Sequence, residues 1–391
     1  MIALVLATAL NEASFPCVTN RECRLWHIFV QVRRAKIATV RDVDASTVIV
    51  ENRIKSVQLL LMAGLGQTSS EIMDHQAKGS RKGRAGGANA VKADLIAIVI
   101  AVTNSDPCVL TIAQANALPS GPFEQAHRSL QSGLRGWVEQ QTGQPLGYIE
   151  QLYTFADRDR IGAEERVISI SYLALTRDED AGGSARRCWA SWYDYFPWED
   201  HRSGTPTVVL EHLRPRLREW ADDADDTATR LDRRRRAAVA FGFDDRSWNE
   251  ELVLQRYELL YEAALVEEAT RGGFSAEPTP VPGRSMIADH RRILATAIAR
   301  LRSKIKYRPV VFELMPPLFT LLQLQRTVEA LSGRLINKPN FRRLIEQQEL
   351  VEKTGETTAE TGGRPAQLYR FRHTILDERP VAGTKLPLAR A

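Results

Sequence analysis

Long apolar runs are missing from this sequence. Nowhere does it hold the ~18–20 consecutive apolar residues that a bilayer-crossing helix requires. No membrane partner is therefore expected. The opening MIALVLATAL is shorter than that and has no basic residues ahead of it, which makes it a poor secretory signal. Cysteine is scarce as well. Cys17, Cys23, Cys108 and Cys188 lack the clustering of metal ligands, so no metal site and reduced thiols in a cytoplasmic protein are expected. A large excess of one charge is also missing: 53 Lys and Arg stand against 48 Asp and Glu, a net +5. That balance permits nucleic acid as a partner without demanding it.

What is present is a composition of globular type, 43% hydrophobic and 26% charged, over 391 residues that suggest two or three domains. No single period persists through the first seventy residues. Residues 1–91 are read as a poorly ordered extension, ending in the Lys-, Arg-, Gly- and Ala-rich stretch 76–90 that has linker composition. From there LIAIVIAV (Leu95–Val102) has the length and β-branching of a buried strand, Asn104–Pro107 supplies a turn, and Val109–Ile112 resumes the strand pattern. The loop ALPSGPF (Ala117–Phe123) leads into a helical stretch, Glu124–Thr142, closed by Gly143. Tyr148–Phe155 and Val167–Leu175 read as strands, and strand–helix–strand order indicates a mixed α/β unit. Beyond them come an aromatic cluster (Trp189, Trp192, Tyr193, Tyr195, Phe196, Trp198), the acidic run Asp222–Asp226 and the basic run Arg233–Arg236. Beside that acidic run, the arginines read as a solvated, self-neutralising surface rather than a DNA grip. The Pro-rich SAEPTPVPG (Ser275–Gly283) is the best domain boundary.

Past that boundary the pattern sharpens. Residues 276–309 carry a linker helix, capped by Ser285 and running to about Lys306, with the apolar stripe Leu294, Ile298, Leu301 and Ile305 as core or dimer seam. Within 310–375, Val310–Leu314 reads as a strand. Thr320 and Gln323 form a capping box for a helix whose buried stripe is Leu321, Leu324, Val328 and Leu331, and Gly333 ends it. A second helix begins near Lys338 with Pro339 at its first position. Phe341, Leu344 and Ile345 point inward there, while Asn340, Arg343 and Gln347 share the opposite face. Two strands, Val351–Thr354 and Gln367–Phe371, flank a Gly-rich loop that includes Arg364. This is the order of a winged helix-turn-helix. Arg and Asn on an exposed helix face suit guanine and adenine edges. Lys338 and Arg342 suit phosphates, and Arg364 suits a phosphate or a minor groove. The competing reading is a winged helix used for protein contact. Residues 376–391 are expected to form a disordered tail.

The stretches FELMPPLFTLLQLQRTVEALSG, NKPNFRRLIEQQELVEKTGE and GGRPAQLYRF resemble the C-terminal domain of the Nudix-related transcriptional regulators of NAD metabolism, the NrtR-like proteins. ADHRRILATAIARLRSKIKY is similar to that family's linker helix. The resemblance implies that the helix at Lys338 is the recognition helix and that 92–275 is a Nudix-like sensing domain. The fold class expected is thus α+β, a Nudix-like α/β/α sandwich followed by a winged helix. WASWYDYFPWEDHR resembles the longer, NadQ-type repressors of de novo NAD synthesis, which implies NAD or an adenine nucleotide as effector and no resident cofactor. Trp192, Tyr193 and Trp198 could stack that ligand's rings, with Arg187 on its phosphates; packing between domains is the competing reading for the aromatics. Double-stranded promoter DNA and a second copy of the chain are the partners implied.

A Nudix box must supply clustered carboxylates for Mg²⁺. Anchored on Gly143, the box places Arg128 at its first Glu, Gly136 and Trp137 at its Arg-Glu pair, and Gln140 and Gln141 at its closing Glu pair. A register one residue over recovers Gly121, Arg135 and Glu139, still a single carboxylate. The expectation is a domain that binds without hydrolysing, so not an enzyme; the alternative is a Nudix-type pyrophosphohydrolase of nucleoside-diphosphate derivatives. The irregular opening predicts a native chain that starts near Met73, to be checked by intact mass. A mass equal to the full 391 residues would refute it.

Overall fold

The computed structural model describes residues 91–156, 167–177, 188–271, 280–359 and 365–374. The expectations for 1–90 and 376–391 lie outside the described residues, as do Arg187 and Arg364. Strand β1 (Lys92–Thr103) is buried on both faces, as its unbroken apolar run requires. It turns into β2 (Asp106–Thr111) through Asn104 and Ser105, both at positive φ (52° and 64°), the conformation of a tight hairpin turn. Strand β3 (Ser120–Pro122) adds a short pairing to β1, placing Gly121 opposite Leu95.

Helix α1 (Leu130–Thr142) begins later than its helical composition suggests. Ser129 and Ser132 cap each other's backbone N–H groups there, and Gly143 at φ 67° closes the far end. Strands β4 (Tyr148–Phe155) and β5 (Val167–Leu175) span the residues that the pattern indicated. Strand β5 runs parallel to β1, and β6 (Cys188–Ser191) pairs with β2, giving the order β4-β5-β1-β2-β6. Leu95, Ala97 and Val99 of β1 pack with Leu134 and Val138 of α1 on one face. Ile96, Ile98 and Ile100 face the other way into a larger cluster. Helices thus cover both faces of the sheet, and the expected α/β/α sandwich is present.

Segments beyond β6 build most of that larger cluster. The segment Trp192–Tyr195 (α2) and the short 3₁₀ turn Pro197–Glu199 bring the aromatic side chains inward. Helices α3 (Arg214–Asp222), α4 (Thr227–Phe241), α5 (Val253–Glu262) and α6 (Glu267–Arg271) surround them. The linker helix α7 (His290–Tyr307) starts five residues after Ser285, so Ser285 is not its cap. Its stripe Leu294, Ile298, Leu301 and Ile305 is buried in this core. Val310–Leu314 is a 3₁₀ turn, not the predicted strand. Pro309 starts it, Phe312 N–H bonds Pro309 O (3.2 Å), and Val310, Val311, Phe312 and Leu314 are all buried, without the alternation of a strand. Helices α8 (Leu321–Ser332) and α9 (Lys338–Gln347) and strands β7 (Val351–Thr358) and β8 (Ala366–Phe371) complete the winged helix.

Two buried ion clusters and one histidine hydrogen bond join these parts. Glu199, wholly buried, accepts from Arg256 of α5 (2.5 and 2.8 Å) and Arg302 of α7 (2.5 Å), both guanidinium groups also wholly buried. Burial alone would raise the Glu199 carboxyl, but the two arginines outweigh it and hold it below the usual range. Arg291, also buried, donates to Glu268 (3.2 Å) and to Tyr195 O (3.1 Å), and its guanidinium lies over Phe196, Trp198 and Tyr257. His290 Nδ1 accepts the N–H of Leu118 (2.9 Å), tying α7 to the Ala117–Phe123 loop. Burial pushes His290 down to about 4, and also His201, which stacks on Trp248 at 4.0 Å.

Stability should reflect both the ion cluster and the histidines. Glu199→Gln leaves two buried guanidinium groups uncompensated and should cost about 3–5 kcal/mol, read as a lower urea midpoint. A loss under about 1 kcal/mol would show the cluster to be incidental. On acidification, the histidines bind protons in the unfolded chain near pH 6.5 but in the fold only near 4. Stability is then fully present above about 6.5 and falls as pH drops toward 4, with His290 contributing up to ~1.4 kcal/mol per pH unit in that window. His290→Gln should flatten the dependence of the urea midpoint on pH over that range.

Candidate nucleic-acid interface

Helix α9 is set up locally. Asn337 caps it by accepting the Asn340 N–H (3.1 Å), and Pro339 falls at the second helical position, one later than expected. Phe341 and Ile345 are buried beneath it. Lys338, Asn340, Arg342, Arg343 and Gln347 are all exposed. Among the described residues no carboxylate forms an ion pair with Lys338, Arg342 or Arg343, so the helix presents net positive charge beside two amides that can bond to base edges. Behind it, β7 and β8 pair antiparallel, and Phe319 bridges to Tyr369 at their base.

What fixes α9 is the end of α8. At the start of α8, Thr320 and Gln323 make both bonds of the capping box. At the other end, three donors from outside the winged helix meet the carbonyls of the last turn. Tyr193 Oη donates to Ala330 O (2.7 Å), Arg302 Nε to Leu331 O (2.8 Å), and His201 N–H to Gly333 O (2.7 Å). Gly333 sits at φ 72°, and a Cβ there would collide with Glu199 O. Inside the turn, Glu329 Oε1 accepts from Ile336 N–H (2.9 Å) and Gln325 Nε2 (2.8 Å), and Gln325 also donates to Ile336 O (3.1 Å). Arg334 reaches Glu250 (3.4 Å), which also holds Lys306 of α7 (2.5 Å). Sequence reading missed Tyr193, Gln325 and Glu329 as positioning groups. The available signal was the polar pair Gln325 and Glu329, spaced i and i+4 on a buried helix.

The aromatic cluster takes the second of its two readings. Trp192, Tyr195, Phe196 and Trp198 have no exposed surface, and Tyr193 has 9%. Their rings pack edge-on against each other and against Tyr257, so Trp192, Tyr193 and Trp198 form core rather than a stacking platform for a ligand. Burying large rings between the sheet and α7 removes more apolar surface from water than an open site would allow.

The helix in the Nudix-box position is occupied by other contacts. Gln141 both accepts from Ser120 N–H (3.1 Å) and donates to Ser120 O (2.7 Å). Trp137 donates to Pro122 O (3.0 Å) and lies so close over Gly121 that any Cβ there would strike the indole. Arg135 donates to Leu146 O and to Gly147 O (3.0 Å). An amide and an indole stand where Mg²⁺ would need carboxylates, and among the described residues no group of three or more His, Cys, Asp and Glu could hold a metal ion. These residues do not fit that cation. Three arginines of the basic run on α4 meet acids, Arg234 with Asp222 of the acidic run (2.5 Å), Arg235 with Asp232 (3.0 Å) and Arg236 with Glu262 (2.6 Å), while Arg233 donates to Trp220 O (2.9 Å). Among the described residues no helix is long and apolar enough to cross a membrane.

Residues 311–371 match the model of the NrtR DNA-binding winged helix domain. The ADPR responsive transcriptional repressor NtrR of Acinetobacter baylyi is 45% identical over 83 residues, 21% of this chain and 33% of that protein. The chain therefore matches only a third of that relative's length. Among solved structures, Shewanella oneidensis NrtR complexed with a 27mer DNA covers 73% of this chain and 95% of its own, at TM-score 0.44 and 19% identity. A MutT/nudix family protein from Enterococcus faecalis covers 72% and 88%, at TM-score 0.41 and 16% identity. The segment 311–371, with its capped helix pair and wing strands, is thus similar to the NrtR DNA-binding winged helix domain.

Proposed function

We propose that this chain is a DNA-binding transcriptional repressor of NAD-biosynthesis genes, acting in the cytoplasm as a homodimer and answering to NAD or a related adenine nucleotide. The observation that carries it is the outer face of α9. Lys338, Arg342 and Arg343 are exposed without ion-pair partners among the described residues, next to Asn340 and Gln347, on a helix whose inner face is fully packed. In the major groove Arg343 would bond a guanine edge and Asn340 an adenine edge, while Lys338 and Arg342 would take flanking phosphates. Two such helices in a dimer read two half-sites. The NtrR relative is named for its response to ADPR, which supports a nucleotide as the signal class.

Regulation requires that the effector bind one arrangement of the paired α9 helices better than the other, since equal affinity shifts nothing. The bonds from Tyr193, His201 and Arg302 to the end of α8 are the physical means by which the rest of the chain can bias that arrangement. The chain is proposed not to be an enzyme. Gln141 and Trp137 at the Nudix-box helix favour binding without hydrolysis, and no observation favours the pyrophosphohydrolase alternative.

The test is a gel shift on DNA upstream of the NAD-synthesis genes, at fixed salt. Asn340→Ala and Arg343→Ala should each weaken the specific complex by about 1–3 kcal/mol, roughly fivefold to 150-fold, and relax the preference at one base position. Lys338→Ala should weaken all sequences alike and lower the salt slope by about 1. DNA binding unchanged in the Asn340→Ala/Arg343→Ala double variant would move the interface to another surface.

A further inference from the structure

The connection between β2 and β3 turns in a hand that L-residues avoid. Ala113, Gln114 and Ala115 follow one another at φ 50°, 59° and 67°, between the bridged pair Ile112 and Ala117. Three consecutive left-handed residues without a glycine are strained, because each Cβ crowds the following carbonyl oxygen, and none of the three has the short polar side chain that eases the conformation. Loops of this length are most often built around a type I turn, whose central residues keep negative φ. What holds the loop lies elsewhere in the chain. Tyr195 Oη donates to Ala115 O (2.6 Å), the Ile287 N–H donates to Asn116 O (2.9 Å), and the Leu118 N–H donates to His290 Nδ1 (2.9 Å). Ala288, beside Ile287, is itself at φ 43°, so four of the ten non-glycine residues at positive φ among the described residues meet at this one junction.

Backbone strain persists only where surrounding contacts over-determine it, and it gathers at switch regions. Ala115, Leu118, Tyr195 and His290 are all buried, so a bond lost here leaves a group unpaired away from water. A change of hand would turn the peptide planes of residues 113–116 and carry the Ala115 and Asn116 carbonyls off their donors. We propose that residues 112–118 are a strained latch between the sheet and the linker helix. Closed, the loop is left-handed and bonded to Tyr195, Ile287 and His290. Open, it relaxes to negative φ and the three bonds are lost together. The loop runs on into Ser120, which Gln141 of α1 holds through both its N–H and its carbonyl. On the other side Tyr193, on the same turn as Tyr195, donates to Ala330 O of α8 (2.7 Å). The latch therefore links, bond by bond, the helix in the Nudix-box position to the helix in front of α9. A ligand that binds the sheet and α1 better with the loop in one form shifts the linker helix toward the matching form. The latch does not depend on what α9 binds.

The test is hydrogen exchange of the full chain, read by mass spectrometry on peptides covering 112–118 and 284–290, in wild type, Tyr195→Phe and Gln114→Gly. Tyr195→Phe removes one hydroxyl and neither of the bonds made by the Leu118 and Ile287 amides. Exchange at both amides should nevertheless rise about tenfold, the effect of one lost buried hydrogen bond on a shared opening. Strand β5, which makes none of these bonds, should keep its wild-type exchange. Gln114→Gly, at an exposed position, allows the left-handed form without the Cβ clash, and exchange in both peptides should slow roughly threefold. Unchanged exchange at Leu118 and Ile287 in Tyr195→Phe would show three separate bonds and overturn the latch. If β5 loosens as well in that variant, Gln114→Gly decides alone. Unchanged or faster exchange in Gln114→Gly would show an unstrained loop and overturn the latch too.

Discussion

Two guanidinium groups and one carboxylate, all without exposed surface, hold the structure together at its centre. Glu199 comes from the aromatic segment, Arg256 from α5 and Arg302 from α7. Removing three charges from water is expensive, and the attraction among them offsets that cost only when every remaining donor finds an acceptor. Here each guanidinium nitrogen has an acceptor. Arg256 also reaches Ala240 O (2.8 Å) and Asn249 O (2.9 Å), and Arg302 reaches Glu250 O (3.0 Å) and Leu331 O (2.8 Å). The last of these bonds matters most for function, because Leu331 belongs to α8. The same arginine that closes the ion cluster thus also caps the helix in front of α9.

The placement of α9 is accordingly not a property of the winged helix alone. Tyr193 and His201 add two more bonds to the carbonyls at the end of α8, and Gly333 is the residue whose missing Cβ lets Glu199 approach. Free helix-terminal carbonyls need partners, and here Tyr193 and His201 from the aromatic segment and Arg302 from the linker helix supply them. A small shift of α7 would carry Arg302 with it and disturb its bond to Leu331 O, since packed junctions move between discrete arrangements rather than deform smoothly.

Charge accounting separates the two basic segments. On α4 each of Arg234, Arg235 and Arg236 has an acidic neighbour within 3.0 Å, so that face offers little field to a polyanion. On α9 the cations have no such neighbour among the described residues, and their field is available to phosphate. Number of arginines is a poor guide to nucleic-acid binding. What counts is which of them the fold leaves uncompensated.

Local rules were legible in the sequence where they act over a few residues. The Thr320–Gln323 capping box, the Gly143 and Gly333 helix ends, the strands at 148–155 and 167–175 and the inward–outward division of α9 all come from spacing and side-chain type. Val310–Leu314 misled because β-branched residues suit a strand or any fully buried turn, and only the surrounding core decides between them. The aromatic segment misled for a related reason. A run of Trp and Tyr has the same composition whether it lines a pocket or fills a core, and the packing of α5 and α7 around it decided for core. The sequence by itself thus determined most of the elements and the chemical face of α9. The ion cluster and the capping of α8 from outside were decided only by tertiary structure. Glu199 and Arg302 stand more than a hundred positions apart, and no local pattern records a contact of that range.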